Sequence, residues 1–153
     1  PAYSQIIDGL IRQLRVPVHE IRVAAIQVLG QLREKTAVPA LIPLLVAPHS
    51  PTVVAVASSL AVICAQELGT HVTRWASWWK RHYHEPRTAW LITGLRHSNS
   101  AIRRIACNEL RMLTSFRASF DPDAPRKQRE DPTLRWEAWW EEQRINAIAA
   151  SES

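Results

Sequence analysis

The chain has 153 residues, 46% of them hydrophobic and 22% charged, enough for one domain with its own core and ordinary for a soluble globular protein. Four glycines against ten prolines, among many Ala, Leu, Ile, Val and Arg residues, favour helices over strands. The net charge is +5, and no run approaches the roughly 18 apolar residues of a membrane span; the longest apolar stretch, Val53 to Ala65, is interrupted by Ser58 and Ser59.

From Ser4 to Leu14, the residues Ile6, Ile7, Leu10, Ile11 and Leu14 recur at spacings of three and four, the stripe of an amphipathic helix that Pro17 ends. A second helix is predicted from His19 to about Lys35, with Ile21, Ala24, Ala25, Val28, Leu29 and Leu32 inward. Thr36 can cap a third, with Pro39 in its first turn and Leu41, Leu44 and Leu45 buried. Pro48, His49, Ser50 and Pro51 read as a turn. Ser50 caps a fourth helix, whose inward set is Val53, Val56, Ala57, Leu60, Ala61 and Cys64. Gly69 reads as a C-terminal cap.

A short helix follows from about His71 to Tyr83, and Pro86 opens the next, with Trp90, Leu91 and Leu95 buried. Ser98, Asn99 and Ser100 form a turn and cap. The helix from Ser100 to about Ser115 uses Ile102, Ile105, Ala106, Leu110 and Leu113. Residues 117–132 read as irregular, and a last helix is predicted from Pro132 to Ala149, with residues 150–153 a frayed tail.

These helices pair, and the pairs resemble one another. Ile21-Arg22-Val23-Ala24-Ala25-Ile26-Gln27-Val28-Leu29 aligns with Ile102-Arg103-Arg104-Ile105-Ala106-Cys107-Asn108-Glu109-Leu110, and Leu32 with Leu113. Val53, Ala57 and Ala61 fall at a similar register. A lone hairpin cannot bury both its sides, so such units stack into an α-solenoid. A second repeat lies on top: Arg74-Trp75-Ala76-Ser77-Trp78-Trp79 matches Arg135-Trp136-Glu137-Ala138-Trp139-Trp140, with three indoles at i, i+3 and i+4 on one helical face.

The stretch from Ile21 to Leu45 resembles the bacterial HEAT repeat, in the version shared with phycobilin lyase-like proteins. Ile21-Arg22, Ala25, Val28-Leu29-Gly30 and Leu32 carry the likeness, followed by Ala37-Val38-Pro39-Ala40-Leu41 and Leu44-Leu45. The Pro51–Leu68 unit departs from it, with Val54 where the others have Arg22 and Arg103, so that unit is expected to lack a polar contact its neighbours make. The segment from Leu113-Thr114 through Phe120-Asp121-Pro122-Asp123-Ala124-Pro125 looks like the end unit of many bacterial HEAT proteins, where an aromatic-Asp-Pro loop leads into a Trp-rich helix. The resemblance implies a single all-α HEAT-repeat domain over residues 1–149. Its hairpins lie at about 4–34, 36–68 and 86–115, and its Trp-rich helices at about 71–83 and 132–149. It also implies a protein partner.

Charge is uneven along the chain. Residues 71–117 hold nine basic and two acidic side chains, a surplus of seven, whereas residues 118–153 hold five basic and eight acidic, a deficit of three. The basic segment would attract an acidic surface or a phosphate backbone. Arg104, Asn108 and Arg111 share one face of their helix, with Arg96 in the neighbouring turn, while Arg22 and Arg103 match the repeat's own arginine and read as structural. HEAT-like DNA glycosylases grip duplex backbone with such a surface, a fold-level likeness that carries none of their chemistry. An aromatic site for a peptide or a base would use Trp75 or Trp136.

Cys64 and Cys107, flanked by apolar residues, read as buried inert thiols. His82 and His84 point to different sides of a helix and have no zinc-spaced partner, and Asp121-Pro122-Asp123 lacks the ligands of a calcium loop. No Gly-rich phosphate loop, nucleophile elbow or paired catalytic motif occurs, and Glu141 and Glu142 splay apart. The chain opens at Pro1 rather than Met, as a processed protein or a piece of a longer one would, and no leader is visible. The expectation is a non-enzymatic, cofactor-free and metal-free cytoplasmic scaffold or adaptor that binds protein. Its candidate contact residues are Arg96, Arg103, Arg104, Asn108, Arg111, Trp75 and Trp136. The alternatives are a nucleic-acid-binding module and an accessory to a lyase-like maturation enzyme. Oligomeric state is not readable from the sequence.

Overall fold

A computed structural model describes residues 2–46 and 50–153, and no strand occurs among the described residues. The chain forms two compact units, Pro1–Arg87 and Thr88–Ser153. No helix is long and apolar enough to cross a membrane among the described residues.

In the first unit α1 spans Ala2–Gln13 and packs against α2, His19–Gln31. Ile7 and Leu14 are the buried members of the α1 stripe, while Ile6 faces out. In α2 the inward face is rotated from the expected one: Ala25, Ile26, Leu29 and Gly30 are buried, and Ile21, Ala24 and Leu32 are exposed. α2 also stops before Lys35, the predicted end. Arg33 takes a left-handed conformation (φ 53°), its N–H donates to Gly30 O at 3.0 Å and the Glu34 N–H donates to Leu29 O at 3.1 Å. This paired closure satisfies two of the last carbonyls of α2.

The predicted third helix is instead a chain of short pieces: a 3-10 turn at Lys35–Ala37, a single α turn α3 at Val38–Leu41, and a 3-10 stretch at Ile42–Val46. Pro43 lacks the N–H that a continuous i to i−4 ladder needs, whereas Pro39 sits in the first turn where none is required, so the chain tightens rather than running as one α-helix. The N-cap is Glu34, not Thr36. Glu34 Oε1 accepts from the Thr36 N–H at 3.2 Å and from its hydroxyl at 2.7 Å. Val38, Leu41, Ile42 and Leu45 are buried, Leu44 only partly.

Pro48 and His49, half of the predicted turn, lie outside the described residues. Beyond them α4 runs over Pro51–Cys64, with Ser50 Oγ accepting from the Thr52 N–H at 3.2 Å as expected of a cap. Val53, Val56, Leu60, Ala61 and Cys64 are buried, as expected, and Ala57 is half-buried. α4 ends on Ala65 in the left-handed region (φ 50°), not on Gly69, whose own positive φ (61°) serves the connector that follows. Arg87 donates to the Ile63 carbonyl at 2.9 Å, supplying a cation to the helix C-terminus. α5, Val72–His82, packs against the Ile42–Val46 stretch.

The approach of α2 to α4 rests on one glycine. A Cβ built on Gly30 would lie 2.6 Å from Ser59 Oγ and 2.9 Å from Ser59 Cβ. The Ser59 hydroxyl uses this proximity to donate to Ile26 O at 2.9 Å. Gly30→Val is therefore expected to lower stability by about 2 kcal/mol, overpacking outweighing the gain in helix propensity. Urea unfolding checks this; a variant as stable as the parent would mean the two helices separate at no cost.

In the second unit α6 spans Arg87–Gly94, α7 Ser100–Leu113 and α8 Arg126–Ser151. Trp90, Leu91 and Leu95 are buried as expected. Asn99 caps α7, its Oδ1 accepting from the Ala101 N–H at 2.8 Å. Ile102, Ala106 and Leu110 are buried, Ile105 is half-buried and Leu113 is exposed, since α7 ends there and the chain turns away. α8 begins six residues before Pro132, where the sequence suggested a start. Pro132 sits inside it, and the Thr133 hydroxyl donates to the Arg129 carbonyl at 2.7 Å. The helix runs through Ser151, past the expected end at Ala149, so Ala150 and Ser151 are helical rather than frayed.

Candidate functional site

The arginine shared by the repeats does the same thing twice. Arg22 is the fourth residue of α2, and its Nη1 donates to the carbonyl six residues earlier, Val16 O, at 2.9 Å. Arg103 is the fourth residue of α7, and its Nη1 donates to the carbonyl six residues earlier, His97 O, at 2.8 Å. Each guanidinium staples the connector before its helix to that helix. Arg103 goes further: it donates to Ser98 O at 2.9 Å and, through Nε, to Pro122 O at 2.9 Å, and it is only 7% exposed. It is thus not a surface contact residue.

The tryptophan repeat is equally regular. Trp75 and Trp136 are both fully buried. Each meets the indole three residues on edge to face, at 6.1 Å and 79° for Trp75–Trp78 and at 5.6 Å and 81° for Trp136–Trp139. Trp75 Nε1 donates to Gly69 O at 2.9 Å, whereas Trp136 Nε1 finds no acceptor among the described residues. Phe116 closes the second cluster, edge-on to Trp136 and stacked on Trp139. A partner cannot touch Trp75 or Trp136 without opening the unit that holds it. The partly exposed indoles are Trp79, Trp139 and Trp140.

The remaining candidate arginines are exposed but engaged. Arg96 donates to Glu137, Nη2 to Oε1 at 2.6 Å, and to Glu130, Nη1 to Oε2 at 3.1 Å. These hydrogen bonds, the Glu137 one first, push the Arg96 pKa up, and the guanidinium holds the Glu130 carboxyl below its ordinary value. Arg104 pairs with Asp123, and Arg111 Nη2 donates to Phe120 O at 2.9 Å. Arg104, Asn108 and Arg111 do line up on the exposed face of α7, but the acidic last segment and a backbone carbonyl take up the two cations. The sequence carries the signal for this in its charge reversal after residue 117.

A groove of about 700 Å³ lies between α2 and α4. Val23, Val54, Ala55 and Val62 give it an apolar lining, and Gln27, Gln31 and Ser58 give it neutral polar groups. Val54 occupies the fourth position of α4, where the other two helices carry their stapling arginine, and it is 66% exposed. The departure visible in the sequence thus coincides with an apolar side chain turned to the surface of the groove. Gln27 and Gln31 drew no notice in the sequence because a helical Gln has no signature beyond a polar face.

Among the described residues no group of three His, Cys, Asp or Glu side chains is placed to hold a metal ion. Cys64 and Cys107 are buried, and burial pushes both thiols above their ordinary range, away from the reactive thiolate. Comparison with family models finds no match to this chain, and neither does comparison with curated proteins or with solved structures.

Proposed function

We propose that the chain is a non-catalytic scaffold or adaptor built of HEAT-type hairpins, and that it takes a polypeptide segment of a protein partner in the α2/α4 groove. The observation that carries this reading is the groove itself, on the second helices of two successive hairpins. Its valines suit the apolar side chains of a peptide. Its Gln27 and Gln31 amides can pair with both N–H and C=O groups of a peptide backbone, as a phosphate backbone would not require. No lysine lines it. The stapling arginines and paired tryptophan clusters support the repeat reading. The two unpaired buried thiols suit a reducing compartment such as the cytoplasm. A nucleic-acid surface on α7 gains less support, because Arg96, Arg103, Arg104 and Arg111 already hold intramolecular partners.

Panning a displayed random-peptide library against the purified chain tests the proposal. Enriched peptides are expected to bind with about micromolar affinity and to lose at least about tenfold on Val54→Arg, a substitution at an exposed site that leaves the fold intact. Binding indifferent to Val54→Arg, or no enrichment at all, would sink it.

A further inference from the structure

The second unit contains a recess of about 440 Å³ lined by Arg96, His97, Ser98, Arg126, Arg129 and Glu130. Its volume is that of a small-molecule site, roughly 300–1,000 Å³. Its chemistry is unlike that of the α2/α4 groove: one aliphatic side chain, Leu95, against a lining that is otherwise polar or charged.

The charges in this recess do not balance locally. Arg96 is committed to Glu130 and Glu137. Arg126 makes no hydrogen bond or ion pair among the described residues, and Arg129 uses its Nε on the Ala124 carbonyl at 2.8 Å, with no carboxylate partner among them. Burial, then the neighbouring Arg103 and Arg126 cations, pull the Arg129 pKa down, as expected where guanidiniums crowd without an anion between them. Arg103 adds a buried cation whose Nε and Nη1 donors are spent on the Pro122, His97 and Ser98 carbonyls, and it is not among the residues that line the recess, so it contributes field. The convergence of Arg126 and Arg129 on one concavity is what a doubly charged, compact anion satisfies, because each guanidinium can present two parallel N–H donors to it.

We infer that this recess binds a small phosphomonoester, with Arg126 and Arg129 holding the phosphoryl oxygens, the Ser98 hydroxyl as an additional donor, and Glu130 facing a hydroxyl of the ligand. A duplex backbone is the poorer fit. Past Arg129 the exposed charges of α8 are Glu130, Asp131, Glu137, Glu141 and Glu142 against Arg135 and Arg144, so a polyanion laid along the helix meets net negative charge. This site is independent of the groove in the first unit, and each can fail without the other.

Isothermal titration of the whole chain with glycerol 3-phosphate, with glycerol as the uncharged control, tests the inference. Saturable binding to glycerol 3-phosphate and none to glycerol is expected, weakened about tenfold by Arg129→Gln and also by Arg126→Gln. Arg126 has no hydrogen-bond or ion-pair partner among the described residues, so its variant keeps the test decisive where Arg129→Gln perturbs the fold. Arg144→Gln, on a distant part of α8, should leave affinity unchanged. No binding at about 10 mM glycerol 3-phosphate, a regime where even a millimolar site would fill, overturns the proposal. So does an equal loss in Arg144→Gln, which would mark a diffuse ionic effect. Arg126-dependent binding of a mixed-sequence DNA duplex without binding of the monoester would also overturn it, in favour of a nucleic-acid contact.

Discussion

Replacing Arg103 with methionine is expected to destabilise the second unit by about 3 kcal/mol, far more than an arginine on a solvated helix face is worth. Methionine keeps most of the side-chain volume, so the loss isolates the guanidinium. Three carbonyls, those of His97, Ser98 and Pro122, lose a charged donor at once. They join the connector before α7, the helix itself and the loop that leads to α8, so the damage spreads over all three. Arg103→Lys should recover little, because an ammonium on a flexible stem cannot reach three carbonyls in the plane of a guanidinium fork. The equivalent Arg22→Met should cost only about 1 kcal/mol, since Arg22 makes a single such bond among the described residues and is only partly buried. Urea unfolding combined with amide hydrogen exchange checks both values and locates the change. Equal costs for the two variants would mean that the extra carbonyls of Arg103 contribute nothing.

The second large effect is expected at the buried indoles. Trp136→Ala removes a fully buried side chain that touches Phe116 and Trp139, and should cost about 4 kcal/mol. The phenylalanine variants separate packing from polarity. Trp75→Phe loses ring volume and also leaves the Gly69 carbonyl without its donor. Trp136→Phe loses volume alone, because its Nε1 has no acceptor among the described residues. Trp75→Phe should therefore exceed Trp136→Phe by about 1 kcal/mol in thermal or chemical unfolding. The reverse order would show that the Trp136 N–H has a partner in solution, such as a buried water.

What the sequence made legible was set by periodicity and by residues with one strong local preference. Ser50 and Asn99 cap where their side chains can reach an N–H two residues on, and the Trp90, Leu91 and Leu95 set is buried as spacing implies. Errors arose where tertiary packing or competing local bonds decided the outcome. The α2 face is rotated because Gly30 and Ala25 let α4 approach there, a consideration of side-chain size rather than hydropathy. The third helix broke up because Pro43, four residues beyond the first-turn Pro39, removes a ladder bond. The opposite failure occurred in α8, where Pro132 is tolerated within a helix that the sequence would have started there. For the site, the basic patch was legible as charge but its pairing was not, because Arg96 finds Glu130 and Glu137 thirty to forty residues away. Trp75 and Trp136 were legible as a matched pair, and which indole of each trio turns inward was not.

The contact between Gly30 and Ser59 also sets the calibre of the α2/α4 groove, since both residues line it. The two positions behave as a caliper. A side chain at 30 pushes the helices apart and widens the channel above them, whereas a smaller residue at 59 lets them settle closer. Selection on what the groove admits would therefore act on the pair together, and its bore could be retuned by a compensating exchange at these two positions while Val23, Gln27, Val54 and Val62 stay as they are.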